Sequence, residues 1–420
     1  MSKIRIKNCG PITEGFNSAD GFIDFGKYTI FIGDQGTGKS TVAKLISICS
    51  WLEKAFFRGD YDIAAFQTMD FRELYQSQLL NDSFNEDTEI EYYGDAYHFL
   101  YKNLDFYAEE MPDTIGKYIR PKIMYIPSER NLLSVVKNIE VLDNIPPMLR
   151  LLRRRYLQAT SQVNGNSIYN IPLDGYKAVV NGSNGETFVQ NEKSNKLVPL
   201  MCASSGLQSI VPSTLVTEYL ANQSTRRVLE KIRNLNDKQF EQLKLSLGNE
   251  DIKSELERFY TSGISKSISK ESIEELQIAA GKFTNACFFN IVEEPEQNLF
   301  PHSQMKNLAF LLDCANCNLD NKLIITTHSP YILSYITLAA KVFELSDSGI
   351  PREKLEKIVP LQSAVDGKEV FIYETQEDGS IRKLEPYDNL PSDENMLNKA
   401  MALGNELFAD LLDLEQEFCS

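Results

Sequence analysis

Positive charge, histidine, tryptophan and long apolar runs are all scarce in this chain. Lys and Arg number 43 against 59 Asp and Glu, giving a formal net charge of −16. Coating of nucleic acid depends on neutralising phosphates with Lys and Arg, so generic nucleic-acid binding is disfavoured and only a local basic groove remains open. Three histidines in the whole chain argue against an HNH nuclease. No run approaches the ~18 apolar residues of a membrane span. Met1 to Lys7 alternates charged and apolar residues without an apolar h-region, which excludes a signal peptide there. The 7 cysteines have no framework spacing, as expected for reduced thiols in a cytoplasmic protein. Cys314 and Cys317 form a lone C-x-x-C in a helical stretch and read as helix packing, not as a metal or redox pair. Internal repeats and low-complexity linkers are absent. What remains, 420 residues with 42% hydrophobic and 24% charged content, is an ordinary soluble globular protein. Its length suits two or three domains, or one large domain with insertions.

The strongest signal lies at residues 28–46. Tyr28 to Ile32 is a β-branched and aromatic run that reads as a buried strand. Gly33-Asp34-Gln35-Gly36-Thr37-Gly38-Lys39-Ser40 then fits G-x-x-x-x-G-K-[ST], and Val42, Leu45 and Ile46 follow at helical spacing. Glycines let the backbone wrap so that successive N–H groups face phosphate oxygens, and the helix N-terminus adds partial positive charge. Lys39 supplies a cation for the β/γ-phosphates, and the Ser40 hydroxyl suits Mg²⁺. This is a nucleotide phosphate site.

Around it the chain divides into core and insertions. Residues 1–46 carry two strands, Lys3 to Lys7 and Gly21 to Phe25, ahead of the P-loop strand. In 47–114, Phe66, Phe71, Tyr75, Leu79, Tyr97, Leu100 and Leu104 recur at helical intervals and predict a helical insertion whose aromatics pack a core. Residues 115–212 return to the core with a strand at Lys122 to Ile126, ended by Pro127. Ser128 to Asn131, at its carboxyl end, is either a ligand contact or a turn with Ser128 as N-cap. Arg150, Arg153, Arg154 and Arg155 form the densest basic patch, a solvated helix face or a phosphate contact. Turns such as Asn-Gly and Asp-Gly over 165–200 predict an antiparallel meander. A helix is expected after Pro212, and 213–280 reads as a charged helical arm outside the core, as in Arg226 to Asn234. Core strands return in 281–345, Asn285 to Val292 and Asn321 to Thr327. In 346–420, two short strands flank a Glu-Asp-Gly turn ahead of a helix over 393–417.

Three predicted core strands thus end in polar groups: the P-loop, Glu293-Glu294, and His328. A parallel sheet with a ligand crevice at its carboxyl edge follows. Paired carboxylates there suit a Mg-nucleotide: one holds the metal, often through water, and the next orients and deprotonates the attacking water. His328 is placed to reach a γ-phosphate.

The order P-loop, Ser204-Ser205-Gly206, Glu293-Glu294-Pro295-Glu296-x-x-Leu299-x-Pro301, Thr327-His328-Ser329-Pro330 resembles that of the ABC-type ATPases. Within them it is most similar to the branch of OLD-family ATPases and ATPase subunits of anti-phage systems such as Septu and PARIS. The resemblance implies an α/β P-loop head with a mainly parallel core sheet, an antiparallel β subdomain and helical insertions. It implies ATP and Mg²⁺ as ligands, held by Gly33, Asp34, Gln35, Gly36, Thr37, Gly38, Lys39, Ser40 and Thr41. Ser40 and Glu293 would serve the metal, Glu294 would be the catalytic base and His328 the switch histidine. Ser204, Ser205 and Gly206 resemble the signature that closes on ATP held by a second copy, so an ATP-sandwich homodimer or larger assembly is implied. Three departures stand out. Walker B carries Glu293 in place of Asp, the signature lies far upstream of Walker B, and Glu129-Arg130-Asn131 stands where a Q-loop glutamine would be.

The function implied is an ATP-hydrolysing switch, a sensor or regulator in anti-phage defence that answers a DNA or phage-protein trigger and controls a separate effector such as a nuclease. Only about 90 residues follow His328 and they hold no Asp-x-Asp pair, so a nuclease is expected in a partner chain, not here. The alternative is a nucleotide-gated DNA-repair clamp of the RecF and SMC kind.

Overall fold

Five strands with mostly buried side chains lie side by side and parallel, in the order Pro121–Ile126, Cys287–Glu293, Lys322–Thr327, Tyr28–Gly33 and Val370–Thr375. Ser380–Lys383 continues the sheet antiparallel to the last of these, and Gly15–Phe16 lies beyond it. The computed structural model describes all residues except 19, 114, 116–117, 137–144, 162–165, 226–231, 233–234, 236, 249, 263–279, 281–283, 347 and 420. Apolar runs such as Tyr28–Gly33 and Cys287–Glu293, buried at every position, suit a parallel sheet covered on both faces. One face packs against the helices Ser205–Thr225, Pro301–Asn316 and Pro330–Ser346, through Val216, Leu308, Leu312 and Ile336 among others. The other face receives the P-loop helix Lys39–Arg58, through Val42, Leu45 and Ile46. A second sheet, antiparallel throughout, joins the same cluster in the order Ile23–Phe25, Ser2–Lys7, Glu89–Tyr93, Tyr97–Lys102, Asp105–Glu110. The expected α/β architecture with a mainly parallel core sheet is therefore the one observed. No helix among the described residues is long and apolar enough to cross a membrane.

Several local expectations are met. Ser2–Lys7 pairs antiparallel with Ile23–Phe25 ahead of the P-loop strand. Asn166–Asn170, Tyr176–Asn181, Thr187–Asn191 and Leu197–Pro199 form the sequential antiparallel meander. Pro147–Ser161, which carries the four arginines, is a helix.

Four are corrected. Residues 47–114 are not a purely helical insertion: after the helix Thr68–Ser77, residues 89–110 supply three strands of the antiparallel sheet. Tyr97, Phe99 and Tyr101 are the buried positions of their strand, a period of two that helical spacing had obscured. The helix expected after Pro212 begins earlier, at Ser205, with Pro212 inside it. Proline there cannot donate to the Gln208 carbonyl four residues back, and Ser134 Oγ takes that place at 2.6 Å. Because Val216, Leu220 and Ala221 are buried against the sheet, the start of 213–280 is core and not arm. Asp237–Ser246 and Glu250–Ser262 form a separate helical unit around Phe240, Leu243 and Leu256; nearly all of Arg226 to Asn234 lies outside the described residues. Lastly, Val370–Thr375, assigned to a C-terminal unit, pairs directly with the P-loop strand and belongs to the core.

Candidate functional site

The P-loop leaves the central strand at Gly33 and enters its helix at Gly38, the N-cap, whose φ of 100° is left-handed. At Gly33 a side chain is excluded by crowding: a Cβ would lie 2.1 Å from Thr375 Oγ1 and 2.7 Å from Thr37 Oγ1. Those two hydroxyls are themselves 2.6 Å apart and tie the loop to the neighbouring strand. Thr37 Oγ1 also donates to the Asp34 carbonyl at 2.7 Å, and the Asp34 carboxylate accepts from Gln35 N–H at 2.6 Å. The loop is therefore braced from inside while Asp34, Gln35, Gly36 and Ser40 face solvent. The first helical N–H groups, those of Lys39, Ser40 and Thr41, have no helical acceptor and no side-chain cap. Lys39 is buried and its ammonium donates to the Gly33 and Asp34 carbonyls at 2.9 and 2.7 Å. Burial pushes its pKa down to about 8, opposed by the carboxylates of Glu294, Asp34 and Glu296. Free donors, a helix N-terminus and a partly desolvated cation make a phosphate cradle.

The carboxylates that influence Lys39 come from the next part of the sheet edge. The strand Cys287–Glu293 ends in Glu293, which is buried: Tyr125 Oη donates to one oxygen and Ser128 N–H to the other at 3.1 Å. Ser128 is thus a donor to Glu293 and not an N-cap; the cap position is Pro127, without a side-chain bond. Glu294 has a left-handed backbone, φ 42°, uncommon for a residue with a side chain. Its N–H donates to the Thr326 carbonyl at 2.8 Å, and Glu294 Oε1 lies 3.6 Å from His328 Nε2. The His328 contact holds the Glu294 carboxyl below its usual range, against a partly opposing burial effect. The structure thus brings together the proposed base and the proposed switch histidine, beside Lys39.

Two residues without an assigned role in the sequence reading organise this edge. Arg130, 2% exposed, donates to the carbonyls of Pro127, Glu293 and Glu294 at 3.2, 2.7 and 2.6 Å. Burial lowers its pKa to about 10, against the pull of nearby Glu296, Glu294 and Glu293. The tripeptide Glu129-Arg130-Asn131 marked the place, but nothing in it told that the arginine points inward. Glu296 accepts from Thr327 Oγ1 and from His328 N–H, both at 2.8 Å, so it fixes the backbone that carries His328. Its other oxygen is shielded from solvent without a donor, and burial raises its pKa. The repeated acid of Glu293-Glu294-Pro295-Glu296 was its only signal.

Ser204 to Gly206 open the helix Ser205–Thr225 and meet the segment after Glu296. A Cβ on Gly206 would sit 2.7 Å from the Asn298 carbonyl, and Ser209 Oγ donates to Gln297 at 3.3 Å. Among the described residues, no hydrogen bond joins Ser204–Gly206 to the P-loop of the same chain.

No protein-family model matches this sequence, and no characterised protein is similar to it in sequence. Among solved structures it is similar to the Smc head bound to the C-winged helix domain of ScpA (10% identity, TM-score 0.37, covering 91% of this chain and 95% of that one). It is also similar to the SMC head domain from Thermotoga maritima (10% identity, TM-score 0.33, covering 79% and 90%). A third is the dimeric MJ0796, a bacterial ABC transporter cassette (12% identity, TM-score 0.27, covering 92% and 100%). Likenesses this loose assign neither a family nor a role.

Proposed function

We propose that the chain is an ABC-type switch that binds and hydrolyses ATP and closes on a second copy of itself around the nucleotide. The observation that carries this is the juxtaposition of Glu294 and His328, 3.6 Å apart, with the buried Lys39 and the free N–H groups of the P-loop helix. The donor set fits a nucleoside triphosphate: the N–H groups of Lys39 to Thr41 and the Lys39 ammonium would hold the phosphates. Ser40 is exposed and suits Mg²⁺, while Glu293, whose oxygens already accept from Tyr125 and Ser128, would reach the ion through water. Bound Mg²⁺ supplies charge neutralisation on the phosphates. The ionised Glu294 would orient the attacking water and accept its proton. A lowered pKa makes it a better positioning group than a strong base, which suits a reaction governed by positioning. His328, fixed through Glu296, would donate to the γ-phosphate. Ser205, at the start of its helix and, among the described residues, without a hydrogen bond to its own P-loop, would serve the ATP of the second copy.

In this reading the helical unit around Phe240 and Leu256 moves with closure and passes the signal to a separate effector such as a nuclease in anti-phage defence. The resemblance of motif order supports that role. The mass of the Glu294→Gln protein in solution tests the dimer. With ATP and Mg²⁺ it is expected to double from 47.7 kDa, and Ser205→Arg is expected to keep it single while leaving ATP bound. A mass indifferent to ATP, or a dimer untouched by Ser205→Arg, would overturn the closure. Co-expression with neighbouring genes, then the mass of the intact complex, would identify the effector.

A further inference from the structure

At the opposite end of the sheet, five basic side chains gather. The strand Pro121–Ile126 is the edge of the core sheet, and the helices Lys39–Arg58 and Pro147–Ser161 both pack against it. Lys54 and Arg58 lie one turn apart on the first helix, Arg155 on the second, and Arg120 and Lys122 at the start of the strand. Lys54 is 9% exposed and Arg120 5%. Among the described residues Lys54 and Lys122 make no salt bridge and Arg155 donates only to Gln158, at 2.7 Å, whereas Arg58 pairs with Asp60. Burial and mutual repulsion depress the pKa values of Lys54 to about 6 and of Lys122 to about 8. Like charges held in a desolvated cluster are unfavourable unless an anion joins them.

A cavity of about 200 Å³ lies between the same two helices and the strand, lined by Ile48, Trp51, Ile123, Tyr125, Met148 and Leu151. Both helices lead from the cavity toward the basic side chains one turn further along, Trp51 to Lys54 and Leu151 to Arg155. Gln78 also lines it, and its side-chain oxygen is shielded from solvent without a hydrogen-bond donor. An apolar, partly aromatic slot with one free acceptor, next to concentrated positive charge, matches a base joined to a phosphate.

We propose that Lys54, Arg58, Arg120, Lys122 and Arg155 form a second phosphate site, which takes a nucleotide, free or at the end of a strand, with its base in the Trp51 cavity. The site is separate from the P-loop: Lys39 stands at the other end of the 20-residue helix that carries Lys54 and Arg58, a span of roughly 30 Å. It does not depend on ATP hydrolysis.

The test is fluorescence anisotropy with a labelled, 5′-phosphorylated 12-nucleotide DNA strand at low salt, without ATP. Wild type and Lys39→Ala are expected to bind alike, which removes the P-loop as the receptor. Binding should weaken at least tenfold in Lys54→Gln/Lys122→Gln and in Arg155→Gln, the latter on a half-exposed position that keeps the answer independent of folding in the core. Competition by AMP would identify a free nucleotide as a sufficient ligand; competition by unlabelled strand alone would identify a strand end. Binding of neither AMP nor the strand, or binding untouched by both sets of substitutions, would overturn the proposal. Loss of ATPase activity in Lys39→Ala with strand binding intact would leave it standing.

Discussion

Arg130→Met should remove both stability and turnover, and the two losses have one cause. The guanidinium is almost wholly buried and supplies the side-chain donor to three carbonyls, those of Pro127, Glu293 and Glu294. The Pro127 carbonyl keeps the Arg130 N–H and the Glu294 carbonyl keeps the Gln297 N–H, so orphaning, at about 1–3 kcal/mol per buried acceptor, falls at most on Glu293. Removing one partner of a buried charged network typically costs about 3–5 kcal/mol. With a urea slope of roughly 3 kcal/mol per M, the unfolding midpoint should fall by about 1 M or more. Turnover suffers separately. Glu294 is held at a left-handed φ of 42°, strain on the order of 1–3 kcal/mol that only surrounding bonds can maintain. Without the Arg130 bond to its carbonyl, Glu294 should relax and carry its carboxylate away from His328, reducing phosphate release by roughly 100-fold or more. Arg130→Lys keeps the charge but lacks the planar fork, so it should recover part of the stability and little of the rate. Urea unfolding followed by fluorescence, with phosphate release on the folded protein, measures both. An Arg130→Met protein with the wild-type midpoint would refute the argument.

Glu53 offers a pH test. It is fully buried on the P-loop helix, accepts from Tyr92 Oη at 2.8 Å and Ala96 N–H at 2.7 Å, and burial raises its pKa to about 7. A raised carboxyl pKa favours the folded state fully below the unfolded value near 4.5, and that contribution is lost as pH rises through about 7. Wild type should therefore lose on the order of 3 kcal/mol over this window, by the ~1.4 kcal/mol per unit relation, and Glu53→Gln should flatten the slope in denaturation midpoints across pH 5–8. Ser134→Ala should cost about 1–3 kcal/mol by orphaning the Gln208 carbonyl. Pro212→Ala, which restores an N–H to that carbonyl, should recover most of it in the double variant; independent effects in a thermal double-mutant cycle would contradict the assigned bond.

Much of this was legible in the sequence, for identifiable reasons. Gly33 to Ser40 declare their geometry because a phosphate cradle needs a fixed spacing of glycine, lysine and hydroxyl. Cys287–Glu293 and Lys322–Thr327 are continuous apolar runs, and such runs have one favourable place, the middle of a covered sheet. Tyr97, Leu100 and Leu104 imitate helical spacing because apolar residues three and four apart fall across a strand and its tight turn, whereas burial follows Tyr97, Phe99 and Tyr101. Pro212 was read as a boundary because local rules forbid proline inside a helix; the donor that makes it tolerable, Ser134, is 78 residues away. Arg130 and Thr375 were invisible for the same kind of reason. Their importance comes from carbonyls and hydroxyls that only the sheet order brings near them.

The central claim is that Glu294, beside His328, completes an ATP-hydrolysing site on this P-loop. Phosphate release from ATP, measured side by side for wild type and Glu294→Gln with nucleotide binding checked in both, tests it most directly. The account predicts Mg²⁺-dependent release by wild type, a fall of about 100-fold or more in the variant and ATP retained by both. Equal release by the two proteins would contradict it.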